Sequence, residues 1–262
     1  MTALSDSILD CFPSGSYALS ALLRLMDVVE SDQVQTAAVE CRIQPRLLIN
    51  PEFVKNHAET PERLLMLVMH ELHHVLLGHT TLFPTVTKVQ NFVFDCVINA
   101  LISRMFPQAE HTSFLTNYYA EDRFPECLMR PTTSWKGGSV KRLPKGILAL
   151  PEATRVTVAE VYRSLYSECG ATYQEVYDIL PRLVDECTVG SIPLLGGHGE
   201  DGATKGLLDK RSPILFDIVR GIVEQWPQPP DPIRGRSLAD VLDEEKVTAR
   251  QLPGNRTILR AL

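Results

Sequence analysis

The chain has 262 residues, of which 44% are hydrophobic and 22% charged, and its formal net charge is −6. That size and apolar content allow a substantial buried core, as one large domain or a domain with a helical appendage. The acidic balance, with no Lys/Arg run longer than a pair, argues against a dedicated nucleic-acid surface, and no stretch of eighteen apolar residues is present to span a membrane.

Residues 1–13 lack a basic segment followed by an apolar run, so the expectation is a protein that is not exported and stays in the cytoplasm. The six cysteines, Cys11, Cys41, Cys96, Cys127, Cys169 and Cys187, are widely spaced with no C-x-x-C pair. In a cytosolic chain of this size such thiols are expected to be reduced and mostly buried. No internal repeat is visible.

In chain order, residues 16–29 place Tyr17, Leu19, Leu22, Leu23, Leu25, Met26 and Val29 at helical spacing, which predicts a helix against the core. Residues 36–43 predict a strand. Leu47-Leu48-Ile49 predicts a second short extended run that ends at Asn50-Pro51, and residues 52–57 lead toward the next helix. There Thr60-Pro61-Glu62 supplies an N-cap, a proline at the first helical position and an early acid, while Gly78 supplies a stop. The prediction is a helix over about residues 61–77. Leu64 to Met69 and Val75 to Leu77 make it apolar nearly all round, as a core helix is.

This helix carries His70-Glu71-Leu72-His73-His74, an HExxH motif. His70 and His74, four residues apart, share one face about a turn apart, as two ligands of a single small metal ion must. Glu71 beside them can take a proton from an activated water, which makes the motif a water-activating unit as well as a binding site. His73 falls away from the ligand face and reads as structural. The plain alternative is a pair of hydrogen-bonded core histidines, but a buried Glu beside three histidines is costly unless a cation or proton compensates it.

A catalytic zinc needs a third protein ligand and keeps a fourth place for water. His79 is one candidate, although on a continuing helix it lies about 140° round from His74 and reaches the site only if Gly78 turns the chain back. Asp95 is the better candidate. Residues 91–102 predict a second buried helix whose interior is polar only at Asp95 and Asn99, again four apart on one face. If it crosses the first helix, Asp95 enters the metal's coordination while Asn99 bonds a ligand histidine or fixes the carboxylate. The bland reading of this pair is a mutually bonded core Asp and Asn. Cys96, about 100° from Asp95, is expected only to pack.

HExxH on one helix and, about twenty residues on, a carboxylate with a polar residue four further resembles the zincin metallopeptidases whose third ligand comes from the next helix. The thermolysin-like members carry E-x-x-x-D there, against Asp95-x-x-x-Asn99 in this chain. The chain is more similar to the bacterial predicted metal-dependent peptidases that in other members precede a von Willebrand A-like domain, matching them at His70, Glu71, His74, His79, Asp95 and Asn99 over roughly residues 45–107. No D-x-S-x-S motif occurs, so the von Willebrand part is not recognisable. The resemblance implies an α+β fold, a mainly helical zincin-like core with a small β-sheet before the HExxH helix. It also implies one zinc ion, and an extended peptide substrate held by strand addition at the sheet edge beside the site.

Residues 106–150 are irregular, with exposed loops expected at 132–138 and 144–146, and form a candidate wall for the substrate cleft. Within them Tyr118 and Tyr119 are candidates for an oxyanion-stabilising phenol, beside the plainer reading of partly buried tyrosines. Residues 156–187 predict two helices separated near Gly170, with stripes Val158, Val161, Leu165 and Val176, Leu180, Leu183, and with Pro181 a kink or break in the second. The glycine-rich run 196–202 predicts a flexible loop, and its His198 is a candidate lid residue. Residues 207–225 and 237–246 predict further helices around a break at 227–232. The expected organisation is a metallopeptidase domain over 1–150 and a helical C-terminal region over 151–262 on the same core.

The expected function is zinc-dependent peptide hydrolysis, with His70, His74 and Asp95 as ligands and Glu71 as general base. Its partner is a peptide or protein substrate, with a further protein that delivers the target left open. Two alternatives stand beside it. The metal-dependent endoribonucleases of ribosomal RNA maturation use three histidines resembling His70, His74 and His79, but lack the Glu and place their last His one residue further on. The other is a metal-binding adaptor that cleaves nothing.

Overall fold

The computed structural model describes residues 3–12, 23–24, 26–40, 46–77, 87–167, 170–171 and 173–195. Among these the fold is mixed α+β, with a small sheet early in the chain and helices thereafter. Helix α1 (Ala3–Asp10) is followed by strands β1 (Asp27–Glu30), β2 (Ala37–Glu40) and β3 (Arg46–Ile49). The sheet order is β1-β3-β2, with β3 parallel to β1 and antiparallel to β2.

The strand β1 corrects the helix expected over 16–29, of whose residues only 23–24 and 26–29 are described. Leu23 and Arg24 are helical, but Val28 and Val29 pair with Leu47 and Leu48. These β-branched residues fit a pleated surface, and ladder pairing overrides the helical spacing of their apolar neighbours. The start of the predicted strand over 36–43 is present as β2, while residues 41–45 lie outside the described ones.

Asn50 joins the sheet to helix α2 (Pro51–His57). Its side-chain oxygen accepts the N–H groups of Glu52 and Phe53 at 2.9 and 3.3 Å, and its amide donates to the Val34 carbonyl at 2.9 Å. One side chain thus caps a helix and ties down the β1–β2 connection. Helix α3 (Pro61–Leu76) carries HExxH, and its N-cap Thr60 accepts the Arg63 N–H. Every residue from Leu64 to Leu76 is buried. Met66, Leu67, Val68, Met69 and Leu72 have no solvent exposure, and each such side chain contributes about 1.5–3 kcal/mol by burial, so packing rather than propensity holds this helix. It packs against β2, α1 and two later helices, α4 (Lys88–Met105) and α5 (Ala109–Tyr118).

Helix α4 (Lys88–Met105) starts earlier than the spacing predicts, because Thr87 and Gln90 form a reciprocal capping box. Its buried polar stripe is also longer: Asn91, Asp95, Asn99 and Ser103 recur every four residues. Helix α5 (Ala109–Tyr118) is absent from the sequence prediction of irregular chain. It has no side-chain cap and buries only Thr112, Phe114 and Leu115, so its pattern is faint. A 3₁₀ turn (Glu126–Met129) and the short helix α6 (Lys145–Leu148) follow. The loops expected to be exposed are partly interior: Trp135 and Thr132 are buried, and Gly146 packs against Arg123, Phe124 and Cys127 so closely that a Cβ would lie 2.9–3.0 Å from their atoms.

Helix α7 (Glu152–Leu165) buries its predicted stripe of Val158, Val161 and Leu165. The second predicted helix is broken into α8 (Tyr173–Tyr177), a 3₁₀ turn at Leu180–Arg182 that contains Pro181, and α9 (Glu186–Gly190). Helices α7, α8 and α9 pack on α4, and one apolar cluster includes residues from Ile8 to Leu195. Cys96 and Cys127 are buried free thiols, Cys11 is partly buried and Cys187 exposed, while Cys41 and Cys169 lie outside the described residues. No helix among the described residues is long and apolar enough to cross a membrane.

Candidate metal centre

The two buried helices bring three ligand atoms together. His70 Nε2 and His74 Nε2 are 3.1 Å apart, and Asp95 Oδ1 lies 3.6 and 3.3 Å from them. Tetrahedral coordination at zinc-like bond lengths of about 2.0–2.1 Å puts ligand atoms about 3.3–3.4 Å apart. The observed triangle brackets that spacing, so one point can lie at bonding distance from all three. Among the described residues this is the one grouping of three or more His, Cys, Asp or Glu side chains with metal-ligand spacing.

All three ligand residues, and Glu71, have no solvent exposure. Neither carboxylate oxygen of Glu71 or of Asp95 has a hydrogen bond of standard geometry. Burial therefore dominates both groups. It pushes the Glu71 carboxyl up to about 7, an effect that His70 opposes, Asp95 reinforces and the Val39 backbone of β2 relieves slightly. It pushes Asp95 up to about 6, again opposed by His70. At His70 burial disfavours the imidazolium, but Asp95, Glu71 and Asn99 outweigh it and hold the ring above its ordinary value.

Two dry carboxylates facing two histidines carry a formal charge that one divalent cation neutralises, with the rings neutral as ligation requires. This donor set fits a metal ion on charge, spacing and unmet hydrogen-bonding capacity together. A cation there would also reverse the burial effect on both carboxyls.

Asn99, one turn after Asp95, accepts from His70 Nδ1 at 2.8 Å and donates through Nδ2 to the Met129 carbonyl at 3.1 Å. Ser103 Oγ donates to the Asn99 carbonyl at 2.7 Å. Of the two roles predicted for Asn99, the structure shows the bond to the histidine, His70. His73 bonds the Met69 carbonyl through Nδ1 at 2.6 Å, and burial lowers its pKa to about 4, so it is a neutral core residue. Cys96 packs its sulfur 3.4 Å from Met129 Sδ, away from the ligand triangle.

The two tyrosines separate. Tyr119, at the C-terminal end of α5, is fully buried with its phenol close to Asn99, Asp95 and the Leu195 backbone. Burial raises its pKa well above the usual phenol range, so it stays protonated. Tyr118 packs in an aromatic group with Phe53, His57 and Phe114. His79 and His198 lie outside the described residues. The site contributors that residue-by-residue reading misses, the Met129 carbonyl and the Val39 backbone, are main-chain groups with no residue-type signal.

The arrangement can hold a divalent cation on three buried ligands with a carboxylate base beside it. No protein-family model matches the chain, and neither a curated protein nor a solved structure is significantly similar to it.

Proposed function

We propose that the chain is a zinc-dependent metallopeptidase of the zincin type, with His70, His74 and Asp95 as ligands and Glu71 as general base. One observation carries the reading: a His₂–carboxylate triangle at zinc spacing, with a buried carboxylate beside it that has no hydrogen bond of standard geometry. Two His and one carboxylate are the ligand types of hydrolytic rather than of closed structural zinc sites. Zinc supplies Lewis acidity there, acidifying water and polarising a carbonyl oxygen.

Glu71 takes the proton of the attacking water and returns it to the leaving amine nitrogen. Its carboxylate form, which a bound cation would favour, is the form that accepts the proton. Asp95 offsets the cation's charge while keeping the histidines neutral. The small sheet preceding α3, with strand β2 packed on that helix, accords with the zincin order of elements. Peptides or proteins are the proposed substrates.

The ribonuclease alternative needs His79 in the third position, a place that Asp95 fills in the triangle described. The adaptor alternative shares the metal centre and differs only in lacking turnover. Elemental analysis of the purified chain tests the metal. Comparing new protein termini in cells that carry the wild type or Glu71→Gln then tests activity and identifies targets. Zinc at one per chain with termini unique to the wild type supports the reading, whereas identical termini leave the adaptor.

A further inference from the structure

We infer that the backbone carbonyl of Met129 sets the tautomer of His70, with Asn99 as the positioning residue between them; the inference rests on the metal-centre reading above. A carbonyl oxygen only accepts, so the group of Asn99 that faces it at 3.1 Å is the amide nitrogen. The amide oxygen is then turned to His70 Nδ1 at 2.8 Å. That oxygen also only accepts, so Nδ1 carries the ring proton. A neutral imidazole has one N–H, and Nε2 is therefore left bare toward His74 and Asp95.

The orientation is held from the far side. Tyr166 Oη donates to the Leu128 carbonyl at 3.2 Å and Tyr162 Oη to the Arg130 carbonyl at 3.1 Å, so the residues on both sides of Met129 are anchored to α7 and its end. Trp135 Nε1 fixes Tyr166 in turn, donating to its carbonyl at 3.0 Å. The Arg130 guanidinium reaches the carbonyls of Thr116 and Tyr119 at 2.7 and 3.0 Å. These side chains are buried, and a flipped Asn99 would set its amide oxygen against the Met129 carbonyl oxygen.

This gives the chain from residue 126 to 166 a defined part in the centre. The 3₁₀ turn at Glu126–Met129 presents one carbonyl, and the aromatic side chains beneath it keep that carbonyl in place. A neutral amide in this position also differs from a carboxylate in leaving the ring neutral, so the counter-charge of the centre stays on Asp95 and Glu71.

The test follows the His70 ring nitrogens by long-range ¹H–¹⁵N NMR in the zinc-free chain at alkaline pH, and zinc Kd by competition with a chromophoric chelator. Wild type should carry the proton on Nδ1. Asn99→Leu, similar in size without an acceptor, should lose that preference and raise the zinc Kd by about 10- to 100-fold, and an unchanged tautomer or a Kd within about threefold of wild type overturns the inference. Asn99→Asp keeps an acceptor for His70 and should keep the Nδ1 proton, while its second oxygen, set against the Met129 carbonyl, should lower the stability of the chain. Loss of the Nδ1 proton in that variant also overturns it, including where the Leu variant does not fold. Wild type with the Nδ1 proton but no zinc binding would refute the metal reading alone.

Discussion

Glu71→Gln in the metal-free chain isolates the cost of burying this carboxylate. The ordinary pKa of the group is 4.5 and its folded value is about 7. Below the lower value both folded and unfolded chains hold the proton, and stability is complete. Between the two the unfolded chain has lost its proton while the folded chain keeps it, so each pH unit costs about 1.4 kcal/mol. Across that window the loss is about 3 kcal/mol, and above it the penalty is constant. Asp95, raised to about 6, acts in the same direction. Against a typical stability of about 5–15 kcal/mol this is large enough to measure. Urea denaturation in the presence of a chelator, from acid to mildly alkaline pH, should show wild type losing stability as pH rises and Glu71→Gln losing less of it. The difference in slope is the diagnostic, because the buried amide of Gln adds a cost of about 1–3 kcal/mol that does not vary with pH. Parallel profiles for the two proteins would refute the assignment of the elevated pKa to Glu71. Adding zinc to the wild type should abolish most of the alkaline loss.

Asp95→Ala should weaken zinc binding by more than about 100-fold, beyond the effect of losing a supporting hydrogen bond, as read by chelator competition. Normal zinc content in that variant, with loss in His79→Ala, would transfer the third-ligand role to His79. Tyr166→Phe removes only the bond to the Leu128 carbonyl and should lower stability by about 1 kcal/mol in urea denaturation, with no change expected in the apolar packing of the ring. Gly170 has φ +71° and its missing Cβ leaves room for the Arg104 guanidinium, which bonds the Leu165 carbonyl at the end of α7. Gly170→Ala should therefore cost about 1 kcal/mol or more in thermal or chemical denaturation, through both the left-handed backbone and the displaced arginine.

The candidate centre was legible where its signal is local. His70, Glu71 and His74 lie on one helical turn, and the apolar run around them allows few other places for that helix than the core. Asp95 and Asn99 stand out because they interrupt an otherwise apolar helix, and the structure groups Asp95 with both histidines and bonds Asn99 to His70. What the residues do not carry is which main-chain group each side chain meets. Met129 reads as an apolar residue, and only the fold turns its carbonyl toward Asn99. Tyr118 and Tyr119 are equivalent in sequence, and the end of α5 separates them, placing one phenol in the core and the other among surface-edge aromatics. Strand β1 was hidden for a different reason: Val28 and Val29 fit a helical stripe as well as a ladder, and the partners that decide, Leu47 and Leu48 of β3, are each nineteen residues away in the chain.

The most direct test of the central claim measures zinc content and peptide hydrolysis on the same samples of wild type and Glu71→Gln. Wild type is predicted to hold one zinc per chain and to cleave an unstructured protein substrate. The variant is predicted to keep its zinc and to lose about 10²- to 10⁴-fold in rate, since proton transfer is the one function removed. Cleavage at an equal rate by both, or a wild type that hydrolyses equally well after its metal is stripped, would contradict the account.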